Sequence, residues 1–363
     1  MKAAVLRQFD GVFGVENVTL ADPVGREVVV DVKGSGLCHS DLHFAENDYG
    51  YPLPQVLGHE VAGVVAEVGP DVTEFTVGDH VVGSLIQFCG HCEACLAGRT
   101  YQCRHPHETL RGGDQPSRIT AAGEPLVQMW GLGGFAERSL AHENQLVKIP
   151  DDVPFPQAAI LGCGTITGAG AAINTARVRP GDTVAVVGLG GVGLNVINGA
   201  RVAGASRIVA VDVQPAKFEL ARKFGATDTV NSAAVDAVET VRDLTGGGVD
   251  IAFEVVGLRE TSELAVQLVG VGGAVYVIGL SKPGTKIEVD PLVDLLTLQK
   301  RVQGVYMGST NIKHDIPMYA RLYLDGRINL DDLISREITI AEINDAYAEL
   351  KGGAIARSVI TSF

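Results

Sequence analysis

No apolar run in the 363-residue chain approaches the ~20 residues that span a bilayer. The opening stretch MKAAVLRQFDGVFG has neither a sustained apolar segment nor a small-residue cleavage site, so it does not read as a secretory signal. The expectation is a cytoplasmic protein with no membrane partner. Positive charge is also in deficit. Against 43 Asp and Glu stand 29 Lys and Arg, leaving a net charge of −14. That balance argues against nucleic acid and anionic lipid as partners. Internal repeats and low-complexity segments are missing as well. A chain of this length exceeds one ordinary core, so two domains are the starting expectation.

Cysteine is scarce, six in all, yet four fall within CGHCEACLAGRTYQC, residues 89–103. In a reducing compartment structural disulfides are rare, and redox CxxC pairs come singly beside a βαβ pattern. A structural zinc site uses all four thiols. The short steps through Cys89, Cys92 and Cys95 curl the backbone around the ion, and Cys103 closes the tetrahedron. Disulfide and redox uses are the alternatives, and the spacing suits them less well. The neighbouring His91, His105 and His107 are read as solvated loop residues.

Up to about residue 160 the chain reads as short β segments between glycine-rich turns, for example VVVDV (28–32), EVAGVVAEVG (60–69) and DHVVG (79–83). From about residue 178 it alternates strand and helix. Six apolar runs, beginning with DTVAVVG (182–188) and ending with RVQGVYM (301–307), match the strand count of two mononucleotide-binding halves. Between the first run and its helix lies GLGGVG, with Gly188, Gly190 and Gly193 in GxGxxG spacing. Backbone amides and a helix N-terminus there face an incoming pyrophosphate. Asp212, nineteen residues beyond Gly193, closes the next strand where a carboxylate can bind an adenosine ribose. GLGGFA (131–136) fits the looser pattern but follows no parallel strand, and is read as a turn.

The remaining cysteines are Cys38 in GLCHSDLH (36–43) and Cys163 in GCGTITG (162–168), and GHEVAGVV (58–65) supplies His59. Two thiolates and an imidazole make a Cys₂His zinc site with an open fourth position, the pattern of a catalytic metal. Taken singly, each residue is as readily a buried thiol or a core histidine.

GHE, CxxCxxCx₇C, GCGxxTG and GLGGVG occur here in the order they have in zinc-dependent medium-chain alcohol dehydrogenases, and every cysteine is used. The chain resembles that family over nearly its whole length, especially its class III/liver-like and bacterial aryl-alcohol branches. The resemblance implies an α/β protein with a β-rich GroES-like catalytic domain at 1–164 that carries the zinc lobe. A doubly wound six-stranded parallel Rossmann domain follows at 165–307, and 308–363 returns to the first domain. It implies two zinc ions per chain: Cys38, His59 and Cys163 for a catalytic ion, and the four lobe cysteines for a structural one. Glu60 would sit beside the catalytic ion and exchange as a ligand, with Asp41 orienting His59.

The resemblance further implies a proton path from the alcohol through Ser40 and the nicotinamide ribose to His43, with hydride passing to NAD. Cofactor contacts map to His39, Thr167, Gly188, Gly190, Gly191, Val192, Gly193, Asp212, Lys217, Ile278, Leu280 and Arg357. The substrate wall maps to Leu85, Met129, Trp130 and Tyr306, with Leu280 beside them. Leu85 stands where liver-type members carry phenylalanine, which leaves room for a bulky or aromatic primary alcohol. The long segment after Cys103 resembles that of dimeric members and implies a homodimer. Two other functions are carried alongside. One is S-(hydroxymethyl)glutathione dehydrogenase, with Arg111 and Arg118 as candidate carboxylate partners. The other is a zinc- and nucleotide-binding protein without turnover.

Overall fold

The computed structural model describes residues 1–352 and 357–363. The chain forms two compact units: Met1–Gly164 with Asn311–Gly326 and Leu330–Phe363, and Thr165–Thr310 with Arg327–Asn329. The second crossing falls three residues beyond the expected 307/308 boundary. Arg327–Asn329 joins the second unit because the Arg201 guanidinium donates to the Arg327 carbonyl (2.6 Å) and Asn198 pairs with the Asn329 backbone through both its amide atoms (3.0 and 3.2 Å).

In the first unit, valine repeats build the sheet that carries the site. Strand Glu27–Gly36 pairs with Glu60–Val68, Arg138–His142 and Arg357–Ser362. His80–Gly83, Leu146–Lys148 and Ile334–Thr339 complete seven strands. Alternate residues of a strand share a face. Val28, Val30 and Val32 accordingly meet Val61, Val65, Val81 and Leu146 in one buried cluster. Each such side chain contributes about 1.5–3 kcal/mol on full burial. A second, six-stranded sheet includes Lys2–Leu6, Phe13–Asn17 and Glu124–Gln128. GLGGFA leads into strand Arg138–His142 and no helix follows it, as expected of a turn.

The second unit is a six-stranded parallel sheet ordered Asp228–Asn231, Arg207–Asp212, Thr183–Val187, Val249–Glu254, Val269–Val277, Arg301–Gly304. Taking the strands in chain order, this is 3-2-1-4-5-6, the doubly wound arrangement whose crevice lies outside the carboxyl ends of the strands. The fifth strand starts at Val269, directly after helix Arg259–Leu268, which stops where the β-branched Val269 begins.

One helical segment is not legible in the sequence. Residues Phe155–Ala176 run as continuous helix with π-type turns at Leu161–Thr165 and Ala171–Ala176. By length and composition this segment could cross a bilayer, contrary to the opening expectation, but 83% of its most apolar window is buried inside the protein. That burial accounts for its apolar character. A Cβ on Gly168 would lie 2.4 Å from the Val192 carbonyl oxygen. Only glycine lets this helix approach helix Gly191–Ala203 so closely.

Candidate active site and metal centres

Three separate elements of the first unit deliver the candidate catalytic ligands. Cys38 stands immediately before helix His39–Glu46, His59 precedes strand Glu60–Val68, and Cys163 lies in the 155–176 helix. The structure brings them together with Glu60. One ligand atom from each lies within 4.8 Å of all the others, and all four residues are buried. His59 Nε2 is 3.2 Å from Cys163 Sγ, while Nδ1 lies 2.9 Å from Asp41 Oδ1. Asp41 also accepts from the Gly58 amide at 3.0 Å, so the carboxylate is fixed before it orients the imidazole. A carboxylate on the far nitrogen leaves Nε2 as the free lone pair, which is what a metal requires of histidine.

The electrostatics fit a cation. The hydrogen bond from Cys163 and the charge of Arg357 drive the Cys38 thiol well below its usual range. The same hydrogen bond, with burial, drives Cys163 up. Burial pushes Glu60 up to about 7 despite Arg357. Oε2 of Glu60 and Oδ2 of Asp41 are buried with no hydrogen-bond partner among the described residues. Two thiols, an imidazole and a carboxylate oxygen without a donor form a donor set that a zinc ion satisfies and that no proton arrangement satisfies fully.

Arg357 has its partners within the first unit. It is buried, its Nη2 lies 3.1 Å from Glu60 Oε1, and Nη1 donates to the Leu37 carbonyl at 3.1 Å. Its Nε has no partner among the described residues. A buried guanidinium needs a carboxylate, and Glu60 is that partner here. Ser40 and His43 are half-buried and lie one turn apart on helix His39–Glu46, with exposed His39 at its start.

Trp130 meets His59 edge-on at 4.8 Å between ring centroids, and Phe44 at 4.9 Å. Phe44 in turn stacks on Tyr49 at 4.4 Å and touches Tyr51 at 5.9 Å. Trp130 is foreseen in the sequence but its partners Phe44, Tyr49 and Tyr51 are not, although three aromatic residues within eight positions are a signal. Trp130 holds a left-handed backbone (φ 50°, ψ 23°), a costly conformation for a bulky residue, and its carbonyl is pinned by Gln145 Nε2 at 2.8 Å. Leu85 is half-buried. Met129 requires correction as a wall residue. It has no exposed surface and packs in the core with Leu37, Leu57, Phe135 and Tyr347. Leu280 and Tyr306, both in the second unit, are 48% and 56% exposed.

In the second unit Gly190 precedes helix Gly191–Ala203, which begins with Gly191, Val192 and Gly193. A Cβ on Gly193 would lie 1.9 Å from the Gly188 carbonyl oxygen, so the tight turn demands glycine there. Asp212 is buried at the end of its strand. Its Oδ2 accepts from the Leu189 amide (2.8 Å) and its Oδ1 from the Gln214 amide (2.9 Å), and Lys217 Nζ lies 3.2 Å from Oδ2. Glycine loop and acid are thus one hydrogen-bonded unit. Thr167 is buried with Oγ1 3.6 Å from Met307 Sδ, and the Ile278 amide donates to the Glu254 carbonyl at 2.8 Å.

The four lobe cysteines also converge, with ligand atoms within 4.8 Å of one another. Cys92 and Cys95 sulfurs are 3.5 Å apart, and Cys89 and Cys95 sulfurs 4.0 Å. Disulfide bonds need about 2.05 Å. A tetrahedron with metal–sulfur bonds of ~2.3 Å has edges of roughly 3.8 Å, between the two observed values. Amides of Cys89 and His105 donate to Cys103 Sγ at 3.2 and 3.3 Å. Backbone amides at Arg104 and Cys95 draw Cys92 down to about 6, whereas burial pushes Cys95 up to about 12. A divalent ion lets all four ionise together.

Arg111 and Arg118, the candidate glutathione partners, are committed elsewhere. Half-buried Arg111 and buried Arg118 both pair with Glu27, at 2.6 Å (Nη2–Oε2) and 2.8 Å (Nε–Oε1), and both also donate to backbone carbonyls. Removing one member of such a buried group leaves an uncompensated charge. Glu27→Ala should therefore cost about 3–5 kcal/mol in denaturant unfolding. An unchanged midpoint would mean that the arginines are free for another role.

A doubly wound nucleotide-binding unit and a buried, open Cys₂His cluster define a zinc-dependent oxidoreductase that uses a nicotinamide cofactor. Comparison with known proteins agrees. Residues 25–151 match the alcohol dehydrogenase GroES-like domain and residues 191–325 the zinc-binding dehydrogenase family. The NDMA-dependent alcohol dehydrogenase of Amycolatopsis methanolica is 39% identical over 99% of this chain and 98% of its own. An alcohol dehydrogenase zinc-binding domain protein from Burkholderia ambifaria superposes with a TM-score of 0.95 at 38% identity, covering 100% of this chain and 98% of that one. Benzyl alcohol dehydrogenase from Acinetobacter calcoaceticus gives 0.94 at 35%, covering 100% and 99%. The chain belongs to the zinc-dependent medium-chain alcohol dehydrogenase family. It is an oxidoreductase whose substrates are small-molecule alcohols.

Proposed function

We propose that the protein oxidises a bulky or aromatic primary alcohol to the aldehyde, reversibly, with NAD as hydride acceptor. The contact of Trp130 with the metal ligand His59 carries this reading, because it brings the Phe44–Tyr49–Tyr51–Trp130 aromatic group next to the reacting centre. Aromatic faces pack an aryl group in offset or edge geometry. The similarity to benzyl alcohol dehydrogenase supports the same class. Zinc held by Cys38, His59 and Cys163 would supply Lewis-acid polarisation of the alcohol oxygen. Ser40 would accept the hydroxyl proton as it gives up its own toward His43, which releases it outward, and Asp41 keeps His59 in its ligating tautomer. The four lobe cysteines would hold a second zinc, and the working unit is read as a cytoplasmic homodimer.

Commitment of Arg111 and Arg118 to Glu27 weighs against a glutathione adduct as substrate. Nicotinamide absorbance assays with benzyl alcohol, ethanol and formaldehyde, the last with and without glutathione, test the reading. Benzyl alcohol should have the highest kcat/KM. A strict glutathione requirement would reject the proposal. The NDMA dependence in the name of the Amycolatopsis relative favours a second possibility, in which the nucleotide stays bound and an external acceptor recycles it. Stoichiometric NAD released on denaturing the purified protein would select that variant.

NAD should be preferred to NADP by at least about 100-fold in kcat/KM. Asp212 is held by two amides against the glycine loop and cannot swing aside. A 2′-phosphate opposite it would meet about 4 kcal/mol of repulsion per unit pair at ~4 Å and an effective dielectric near 20. Lys217, already 3.2 Å from Asp212, offsets part of this, which is why the expected ratio is only about 2.7 kcal/mol. Equal kcat/KM for the two cofactors would remove Asp212 from its assigned role.

A further inference from the structure

We propose that His105, His107 and Glu108 form a surface binding site for a divalent transition-metal ion of the zinc–nickel–copper class, distinct from both zinc centres. Their ligand atoms lie within 4.8 Å of one another, and all three residues are exposed. The sequence reading as solvated loop histidines does not foresee this convergence. A short 3₁₀ turn, Pro106–Thr109, sets it, closed by the Glu108 amide on the His105 carbonyl (3.3 Å) and the Leu110 amide on the His107 carbonyl (3.0 Å). The turn is anchored at its start, where the His105 amide donates to Cys103 Sγ at 3.3 Å. The backbone that carries the imidazoles is therefore held by the thiolate centre and is not a free loop.

Glu108 extends the cluster. Its Oε2 lies 2.7 Å from His91 Nε2, and the His91 and His105 rings stack 6.2 Å apart with planes 14° from parallel. Three imidazoles and one carboxylate thus share a single patch. As a surface ion pair alone, His91–Glu108 would contribute little to stability. As ligands, imidazole nitrogen and carboxylate oxygen suit zinc, nickel and copper, and exposed side chains can close the last ångström by rotation. The ion would keep water in its remaining positions. Because Glu108, His91 and Cys89 also lie within 4.8 Å of one another, the site adjoins the tetrathiolate centre and would hold an incoming ion at its edge.

The test titrates holoenzyme with nickel chloride by calorimetry, while elemental analysis verifies that resident zinc stays in place. One nickel ion per chain should bind. His105→Ala/His107→Ala should weaken binding at least about tenfold, the lower bound set by what losing even an outer-shell partner costs a metal site. Resident zinc and the thermal melt should be unchanged. Glu108→Gln, which preserves the turn, should also weaken binding, and it decides the matter if the double variant does not fold. His314→Ala, at an exposed histidine elsewhere, should leave binding intact. No nickel bound, or equal affinity in the wild type and the Glu108 and double-histidine variants, overturns the site.

Discussion

Cys38→Ala should yield a folded protein that binds nucleotide, retains one zinc of two and turns over at least about a thousandfold more slowly. The magnitude follows from the charge stabilisation a Lewis acid supplies, several kcal/mol at 1.36 kcal/mol per tenfold. The folding claim rests on position. Cys38 precedes helix His39–Glu46 but makes no side-chain capping bond, so alanine removes no cap. The seven-stranded sheet and its valine core are untouched by the change. The nucleotide contacts proposed above, Gly188–Gly193 and Asp212, are tied together by the Leu189 amide on Asp212 and not to Cys38. Metal analysis, nucleotide titration and initial rates check the three parts separately. An active variant, or one that still carries two zinc ions, would show that the open site does not hold the catalytic metal.

What the sequence made legible, and what it hid, divides by the range of the interactions. The parallel sheet could be read because each strand and its helix are neighbours in sequence, with Asp212 a fixed step beyond the glycine loop. The two clusters of candidate ligands could be read because few residue types bind zinc, and the chain has only six cysteines to assign. The misses depend on contacts between distant segments. Glu27 lies 84 and 91 residues from Arg111 and Arg118, so nothing local marks those arginines as structural. The pairing of Glu60 with Arg357 joins residues 297 positions apart, so nothing local marks it. Met129 and Trp130 are adjacent and equally apolar. One turns into the core, and the left-handed backbone at the other sends it toward His59. Helix 155–176 was hidden by composition, since glycine is a poor helix former unless a close neighbour requires it, as Val192 does at Gly168.

Cys92→Ser should be the most damaging single substitution to local folding, because segment 89–103 has almost no core apart from its sulfurs. Its buried cluster consists of Cys89, Cys92 and Ala94, with Cys95 and Cys103 packed against it, and Leu96 is 76% exposed. Structural zinc binds with about 10–16 kcal/mol in small peptides, comparable to the whole stability of a domain. Without four thiolates, a lobe with one buried alanine has no equivalent source of stability, and the Arg104 and Cys95 amides lose the Cys92 sulfur as acceptor. Hydrogen exchange should therefore rise across 89–103 by several orders of magnitude, and limited proteolysis should cut there first. Residues 183–304, with their own parallel sheet and buried cluster, should keep their protection. Chelation of the wild type at high temperature should reproduce the pattern. Unchanged exchange in the lobe of Cys92→Ser would mean that apolar packing holds the segment and that the four thiols are not its staple.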